Sequence, residues 1–318
     1  MNQRKLGTTD ITISVLGFGT WALGGGDWQF SWGPQDDQKS IAAIHRALDL
    51  GINWIDTAAV YGMGHSEEVI ARALKGRSNR PYIFTKGGLV GDRHSIRRVL
   101  KADSLRKEID ASLKRLQVDA IDLYQIHWPT EDIEEGWRTL IDARKAGKLR
   151  WIGVCNCDVG QLKTIQKIAP AHTRQPPYSL LQREVENDVL PYCLENNVGV
   201  IVYAPMASGL LSSAVTRERF KKLPPDDWRK TMSPWFQEPA FTSNLKLAEL
   251  LKEVGQNGRT AGEVAIAWTL RHPAVTGAIV GVRSPEQLDG VIGAADFKLS
   301  DADLARIEGH FRSQSHAA

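Results

Sequence analysis

Short apolar runs alternate with amphipathic helical stretches along almost the whole chain, and this alternation limits the fold more than any other feature. The runs fall at residues 15–20, 52–56, 82–85, 121–127, 151–154, 177–181, 198–204 and 278–280. Parallel strands buried on both faces read as such continuous runs. Between them, residues 38–50 place Ile41, Ile44 and Leu48 on one helical face, and residues 105–116 do the same with Ile109, Leu113 and Leu116. Further helical stretches cover 66–74, 133–146, 159–168, 188–196, 244–254, 262–270 and 285–292. Gly51, Gly147 and Gly199 follow helices, as helix ends favour. Eight strands alternating with helices predict an α/β chain closed into a (β/α)8 TIM barrel. An open doubly wound sheet fits the alternation alone as well. Gly7 and Thr8-Thr9-Asp10 predict a small N-terminal hairpin. Residues 22–37 and 212–239 predict two long rim loops.

The 318 residues suit one barrel, which needs about 250 residues plus insertions. No stretch reads as a linker, so residues 1–318 are expected to form a single domain. The 40 basic and 37 acidic residues are mixed, without a charged block. That predicts neither nucleic-acid nor membrane partners. Three cysteines, Cys155, Cys157 and Cys193, do not make a disulfide framework. They lack metal-ligand spacing, and no metal is expected. With no signal peptide and no apolar run of bilayer length, the expected location is the cytoplasm. Composition leaves the oligomeric state open.

Gly17-Phe18-Gly19-Thr20-Trp21-Ala22 matches a dinucleotide-binding glycine fingerprint, with Asp37 beyond it. The fingerprint needs a helix at the glycines, whereas Gly24-Gly25-Gly26 predicts loop. The stronger signal lies at the strand ends, where barrels of this kind carry their active sites. The second strand ends at Asp56, followed by Thr57 and Tyr61; the third ends at Lys86; the fourth at His127; the fifth at Cys155-Asn156. The sixth is expected to deliver Gln182, and the seventh opens into Tyr203-Ala204-Pro205-Met206. Singly, each polar residue has a plain structural role: a cap, a solvated amine, a half-buried imidazole. Together on one rim they form a constellation.

Carbonyl reduction requires a proton donor and a hydride donor about a polarised C=O. A phenol is a reluctant acid near neutrality, and a nearby ammonium eases its ionisation. Asp56 is expected to orient Lys86, Tyr61 to protonate the nascent alkoxide, and His127 to hydrogen-bond the carbonyl oxygen. The hydride must come from a cofactor. Near the C-terminus, Gly281-Val282-Arg283-Ser284-Pro285-Glu286-Gln287 predicts a helix capped by Ser284, with Gln287 completing a capping box. A helix N-terminus with Arg283 beside it suits a phosphate, pointing to NADPH.

These motifs resemble the aldo-keto reductase superfamily, in its bacterial branch similar to potassium-channel β subunits. The likeness rests on Asn53-Trp54-Ile55-Asp56-Thr57-Ala58 with Tyr61-Gly62, Phe84-Thr85-Lys86, Gln125-Ile126-His127-Trp128, Gly153-Val154-Cys155-Asn156 and the Gly281–Gln287 stretch. The resemblance implies NADP(H), a small-molecule carbonyl substrate and a catalytic tetrad at Asp56, Tyr61, Lys86 and His127. It also implies cofactor contacts from Thr20, Trp21, Asp56, Cys155, Asn156, Gln182 and Tyr203, which would stack on the nicotinamide. Ala204, Pro205, Met206, Ser208, Gly209 and Leu210 would cover the pyrophosphate, with Gly281, Arg283 and Gln287 at the adenosine end. The chain departs from the family pattern in three places. Cys155 replaces a serine, no lysine follows Gly209-Leu210-Leu211, and Val291 stands where an adenine-contacting Asn is usual. Six of the ten tryptophans fall in rim loops and predict an aromatic-accepting pocket. Two other functions suit the same features: a cofactor-binding accessory subunit with weak catalysis, and another barrel class such as a sugar-phosphate lyase or isomerase.

Overall fold

The computed structural model describes residues 1–225, 227–255 and 258–315. Asp226, in the proline-rich part of the second long loop, lies outside them. Among the described residues there are twelve strands: β1 (Gln3–Lys5), β2 (Thr12–Ser14), β3 (Leu16–Gly19), β4 (Trp54–Asp56), β5 (Tyr82–Gly87), β6 (Leu89–Gly91), β7 (Ile96–Arg98), β8 (Ile121–Ile126), β9 (Leu149–Cys155), β10 (Thr173–Gln175), β11 (Gly199–Val202) and β12 (Val275–Gly281). Eight of them close a parallel barrel in the order β3-β4-β5-β8-β9-β10-β11-β12 and back to β3. The chain is therefore a (β/α)8 barrel, and the open-sheet alternative is excluded.

The barrel helices are α1 (Asp37–Asp49), α2 (His65–Leu74), α3 (Ala102–Leu116), α4 (Ile133–Lys145), α5 (Val159–Gln166) and α6 (Val189–Glu195). The second long loop adds the short α7 (Arg217–Lys221) and α8 (Trp228–Thr231). Then come α9 (Ala240–Val254), α10 (Ala261–Leu270), α11 (Pro285–Asp289) and α12 (Asp301–Ser315). Local chemistry sets their starts. Asp36 caps α1 by accepting from Gln38 and Lys39, and α5 and α10 carry full capping boxes from Asp158 with Gln161 and Thr260 with Glu263. Every residue of α10 is buried, which is why its sequence shows no polar face.

The interior of the barrel is filled by Trp54, Phe84, Leu123, Ile201 and Ile279. The β1–β2 hairpin plugs its lower end with Leu6, Ile11 and Ile13, all fully buried. Each such side chain contributes about 1.5–3 kcal/mol. The fingerprint glycines serve this packing. Gly17 lies in β3, where an added Cβ would overlap the Trp54 indole, and that indole donates to Ser14 O at 2.8 Å. No dinucleotide helix starts there.

One strand differs from expectation. The sixth barrel strand is Thr173–Gln175, not residues 177–181. Pro176 and Pro177 offer no N–H, so the ladder stops and only an isolated bridge from Pro177 to Tyr203 follows. Thr173-Arg174-Gln175 escaped notice because it is polar, yet all three residues are buried. The β6–β7 hairpin and α12 were not foreseen either. No helix among the described residues is long and apolar enough to cross a membrane.

Candidate active site

Asp56, Lys86, His127 and Cys155 sit at the C-terminal ends of β4, β5, β8 and β9 or one residue beyond. Tyr61 comes from the loop after β4, in a short turn that Gly62 (φ 61°) and Gly64 (φ 99°) permit. In that turn Gly62 lies so close to Gly24 that any side chain would clash with backbone. The barrel therefore converges all four expected groups on one mouth.

Lys86 Nζ donates to Asp56 Oδ1 at 2.6 Å and to Thr57 O at 2.9 Å. Both side chains are out of water, at 0% and 4% exposure. Burial lowers the lysine, but the Asp56 carboxylate outweighs it and holds Lys86 above its ordinary value. Burial raises Asp56, opposed by Lys86 and by Gln175. The ammonium lies 5.3 Å from the Tyr61 ring centroid. Tyr61 and His127 meet edge-on, with ring centroids 5.8 Å apart.

Lys86 does pull the Tyr61 phenol down, as expected from the sequence. Burial overrides it, and the phenol is pushed up to about 12. Tyr61 is thus firmly protonated, which suits a proton donor. His127 is driven well below its usual value by burial first and by Lys86 second, so its imidazole is neutral. Its Nδ1 is buried and has no hydrogen-bond partner among the described residues.

Sequence reasoning missed Gln175. It ends β10 and donates from Nε2 to Asp56 Oδ2 at 2.8 Å. Gln182, expected at that strand end, instead closes a turn with Ser179 through two N–H···O bonds of 3.1 Å. The misplaced sixth strand caused both errors.

A sequence profile described as the Aldo/keto reductase family matches residues 15–312. The chain belongs to the Aldo/keto reductase family. It is 37% identical over 313 residues to Aldo-keto reductase YhdN of Bacillus subtilis, covering 96% of this chain and 92% of that protein. It is 34% identical over 324 residues to the NADH-specific methylglyoxal reductase of Escherichia coli, covering 95% and 96% of the two chains. The solved glycerol dehydrogenase AKR11B4 of Gluconobacter oxydans superposes with a TM-score of 0.88 at 36% identity, over 97% of this chain and 94% of that one.

In this aldo/keto reductase three other expected residues, Thr20, Asn156 and Tyr203, bond to those four groups at the mouth or to one another. Thr20 is fully buried and donates from N and Oγ1 to Asp56 O, both at 3.0 Å. Asn156, in the left-handed region at φ 60°, donates to His127 O at 3.0 Å and accepts from the Tyr203 hydroxyl at 2.9 Å. Cys155 accepts from Asn156 Nδ2 at 3.2 Å, and burial pushes its thiol up to about 12. A thiol held protonated is a weak nucleophile. Beyond Tyr203, Ala204, Ala207, Ser208 and Gly209 all have positive φ. Non-glycine residues rarely accept this, and strained backbone of this kind clusters at functional sites. Pro205, Met206 and Leu210 lie in the same turn, with Leu210 fully buried.

At the far end, Arg283 follows β12 and Gly281. Its guanidinium donates to Gln35 Oε1 at 2.6 Å, to Trp32 O at 3.2 Å and to Pro34 O. It thereby clasps the first rim loop, a bond no local sequence signal reveals. Among the described residues no carboxylate is bonded to it, and burial together with Arg229 lowers its pKa. Ser284 caps α11 as expected, but Gln287 accepts from Arg283 N at 2.8 Å, so the expected capping box is shifted by one residue. Arg217, in the second rim loop, donates to Glu238 at 2.6 Å and to Thr242.

The tryptophans mostly fasten the loops to each other. Trp21 stacks on Trp228 at 5.9 Å, and Trp32 packs on both, with Arg229 4.8 Å over its ring. Trp28 alone of this group leans on Tyr61, at 6.3 Å. Among the described residues no His, Cys, Asp and Glu cluster suits a metal ion.

Proposed function

We propose that this chain reduces aldehydes or ketones to alcohols with NADPH, as a single barrel domain acting in the cytoplasm. The observation that carries the reading is the juxtaposition of a protonated phenol, a buried ammonium and a neutral imidazole at one barrel mouth. NADPH, when bound, supplies the hydride. Tyr61 hydrogen-bonds the carbonyl oxygen and gives up its proton as negative charge grows there. Lys86 lies close enough to stabilise the phenolate that remains, and Asp56 keeps Lys86 charged and in place. His127, uncharged, donates a second hydrogen bond to the same oxygen. Gln175 fixes the second oxygen of Asp56.

The orphaned His127 nitrogen and the row of left-handed residues after Tyr203 fit a ligand lying extended over the mouth. Asn156, Tyr203 and Thr20 would hold its nicotinamide end, and Ser208 and Gly209 its pyrophosphate. Arg283, a cation without a bonded carboxylate, would take a 2′-phosphate. The Escherichia coli relative is named NADH-specific, so both cofactors belong in the test. Oxidation of NADPH and NADH is followed by absorbance over small aldehydes and ketones. Tyr61→Phe is expected to lower kcat at least about 100-fold with NADPH affinity unchanged. Full activity in Tyr61→Phe, or no turnover with any carbonyl by the intact protein, refutes the reading.

A further inference from the structure

Immediately after Lys86 the chain leaves the barrel through Gly87 and Gly88, the latter at φ 93°. Three site-bearing segments hang on this turn. Lys86 O accepts the Ala59 N–H at 3.2 Å, on the segment leading to Tyr61. Gly87 O accepts the His127 N–H at 2.9 Å. Lys86 itself carries the ammonium. The turn is gripped from behind the barrel wall by α3, where Glu108 Oε2 accepts the Gly88 N–H at 2.9 Å and Oε1 accepts from Ser104 Oγ at 3.3 Å. The fit is tight. A Cβ on Gly87 would come within 3.2 Å of Glu108 Oε2 and would overlap the Tyr124 hydroxyl.

We infer that Glu108 is a positioning residue for this site: its carboxylate, as the anion, locks the Gly87–Gly88 turn and thereby the placement of Lys86 and His127. The inference rests on the tetrad reading above.

The surroundings make the grip sensitive to pH. From α2, Glu67 faces Glu108, but it is bound by Arg115 at 2.7 Å and by Thr85 at 2.7 Å. From α3, Arg115 acts on Glu108 at a distance, and its bonds go to Glu67 and Ser112. From β8, the buried Tyr124 hydroxyl has no partner among the described residues. Burial raises Glu108 to about 7, against the pull of Gly88, Ser104 and Arg115. Tyr61 and His127 are displaced well away from this range in opposite directions. Asp56 is also raised by burial, so the clamp is identified by a step that appears in both activity and Gly88 exchange and disappears in Glu108→Gln. A charge-assisted hydrogen bond is roughly twice as strong as a neutral one, so protonation loosens the turn.

The test compares the intact protein with Glu108→Gln and Glu108→Ala. Two readouts are used: kcat and KM for NADPH-linked carbonyl reduction from about pH 5.5 to 8.5, and amide exchange of Gly88 and His127 in the cofactor-free protein over the same range. Opening that breaks the Gly88 bond while Glu108 stays buried removes a donor that lowers the carboxyl, so the open form binds its proton more tightly; the intact protein should therefore gain protection at Gly88, beyond the intrinsic rate, as pH rises through about 7, with kcat rising in parallel. Glu108→Gln keeps an acceptor without a titrating charge. It should lack the step in both readouts, with kcat about fivefold lower at the high-pH plateau and KM within about twofold. Glu108→Ala should expose the Gly88 amide at every pH. If Glu108→Ala does not fold, Glu108→Gln alone decides. A Glu108→Gln protein with the same kcat plateau, the same pH step and unchanged Gly88 exchange overturns the inference. The exchange readout needs no turnover. An active Tyr61→Phe with an intact Gly88 step would therefore remove the tetrad reading and leave the clamp.

Discussion

Asp56→Asn should expose what it costs to hold Lys86 charged in a dry site. The ammonium is fully buried and Asp56 nearly so, and their bond is 2.6 Å long. No other carboxylate bonds to Lys86 among the described residues. Removing one partner of a buried ion pair costs about 3–5 kcal/mol, because the surviving charge is stranded. An asparagine still accepts from Lys86, and its NH2 can donate to Gln175 Oε1 once that side-chain amide flips, so the low end applies: about 3 kcal/mol, or more than a hundredfold in the unfolding equilibrium. The sign of the pH dependence follows. Without Asp56, burial remains as the main influence and lowers the lysine below its unfolded value. The unfolded chain then binds more protons than the folded one, and the variant gains stability as pH rises through the folded pKa. The assay is urea unfolding, followed by tryptophan fluorescence and far-ultraviolet circular dichroism together, at about pH 7 and about pH 10. The difference from the unsubstituted protein should shrink at the higher pH. A companion variant, Asp56→Leu with Lys86→Met, should recover part of the loss while remaining inactive, since an apolar pair carries no stranded charge. It will not recover all of it, because Thr57 O and the Gln175 amide lose their partners. A loss below about 1 kcal/mol at pH 7, with no dependence on pH, refutes the argument that the pair is electrostatically closed.

Two further outcomes test the frame around the site. Gly17→Ala forces a methyl into the Trp54 indole and should cost about 1–3 kcal/mol by overpacking, read as a fall in Tm, with NADPH affinity unchanged; a loss of cofactor binding without loss of stability would restore a dinucleotide role for these glycines. Arg283→Met keeps the apolar stem and removes the guanidinium, so NADPH should bind at least about tenfold more weakly and NADH no more than about threefold, measured by fluorescence titration; equal losses would mean that Arg283 serves only to hold the first rim loop.

The fold and the tetrad were legible in the chain because both depend on short-range pattern. Buried parallel strands need unbroken apolar runs, and a closed barrel puts the residue after each run on one rim. Asp56, Lys86, His127 and Asn156 could thus be placed by counting from strand ends. Caps at Asp36 and Ser284 were local in the same sense. The sixth strand failed because Thr173-Arg174-Gln175 is polar and buried by its neighbours, not by its own composition. That hid Gln175 and misplaced Gln182. What only the folded molecule decided are contacts between distant segments: Gln175 on Asp56, Arg283 on the loop at Trp32 and Pro34, Trp54 against Gly17, and Glu108 behind Gly88. The balance between burial and charge that keeps Tyr61 protonated belongs with them. Side-chain direction and desolvation arise from three-dimensional packing, so neither periodicity nor residue type could disclose them.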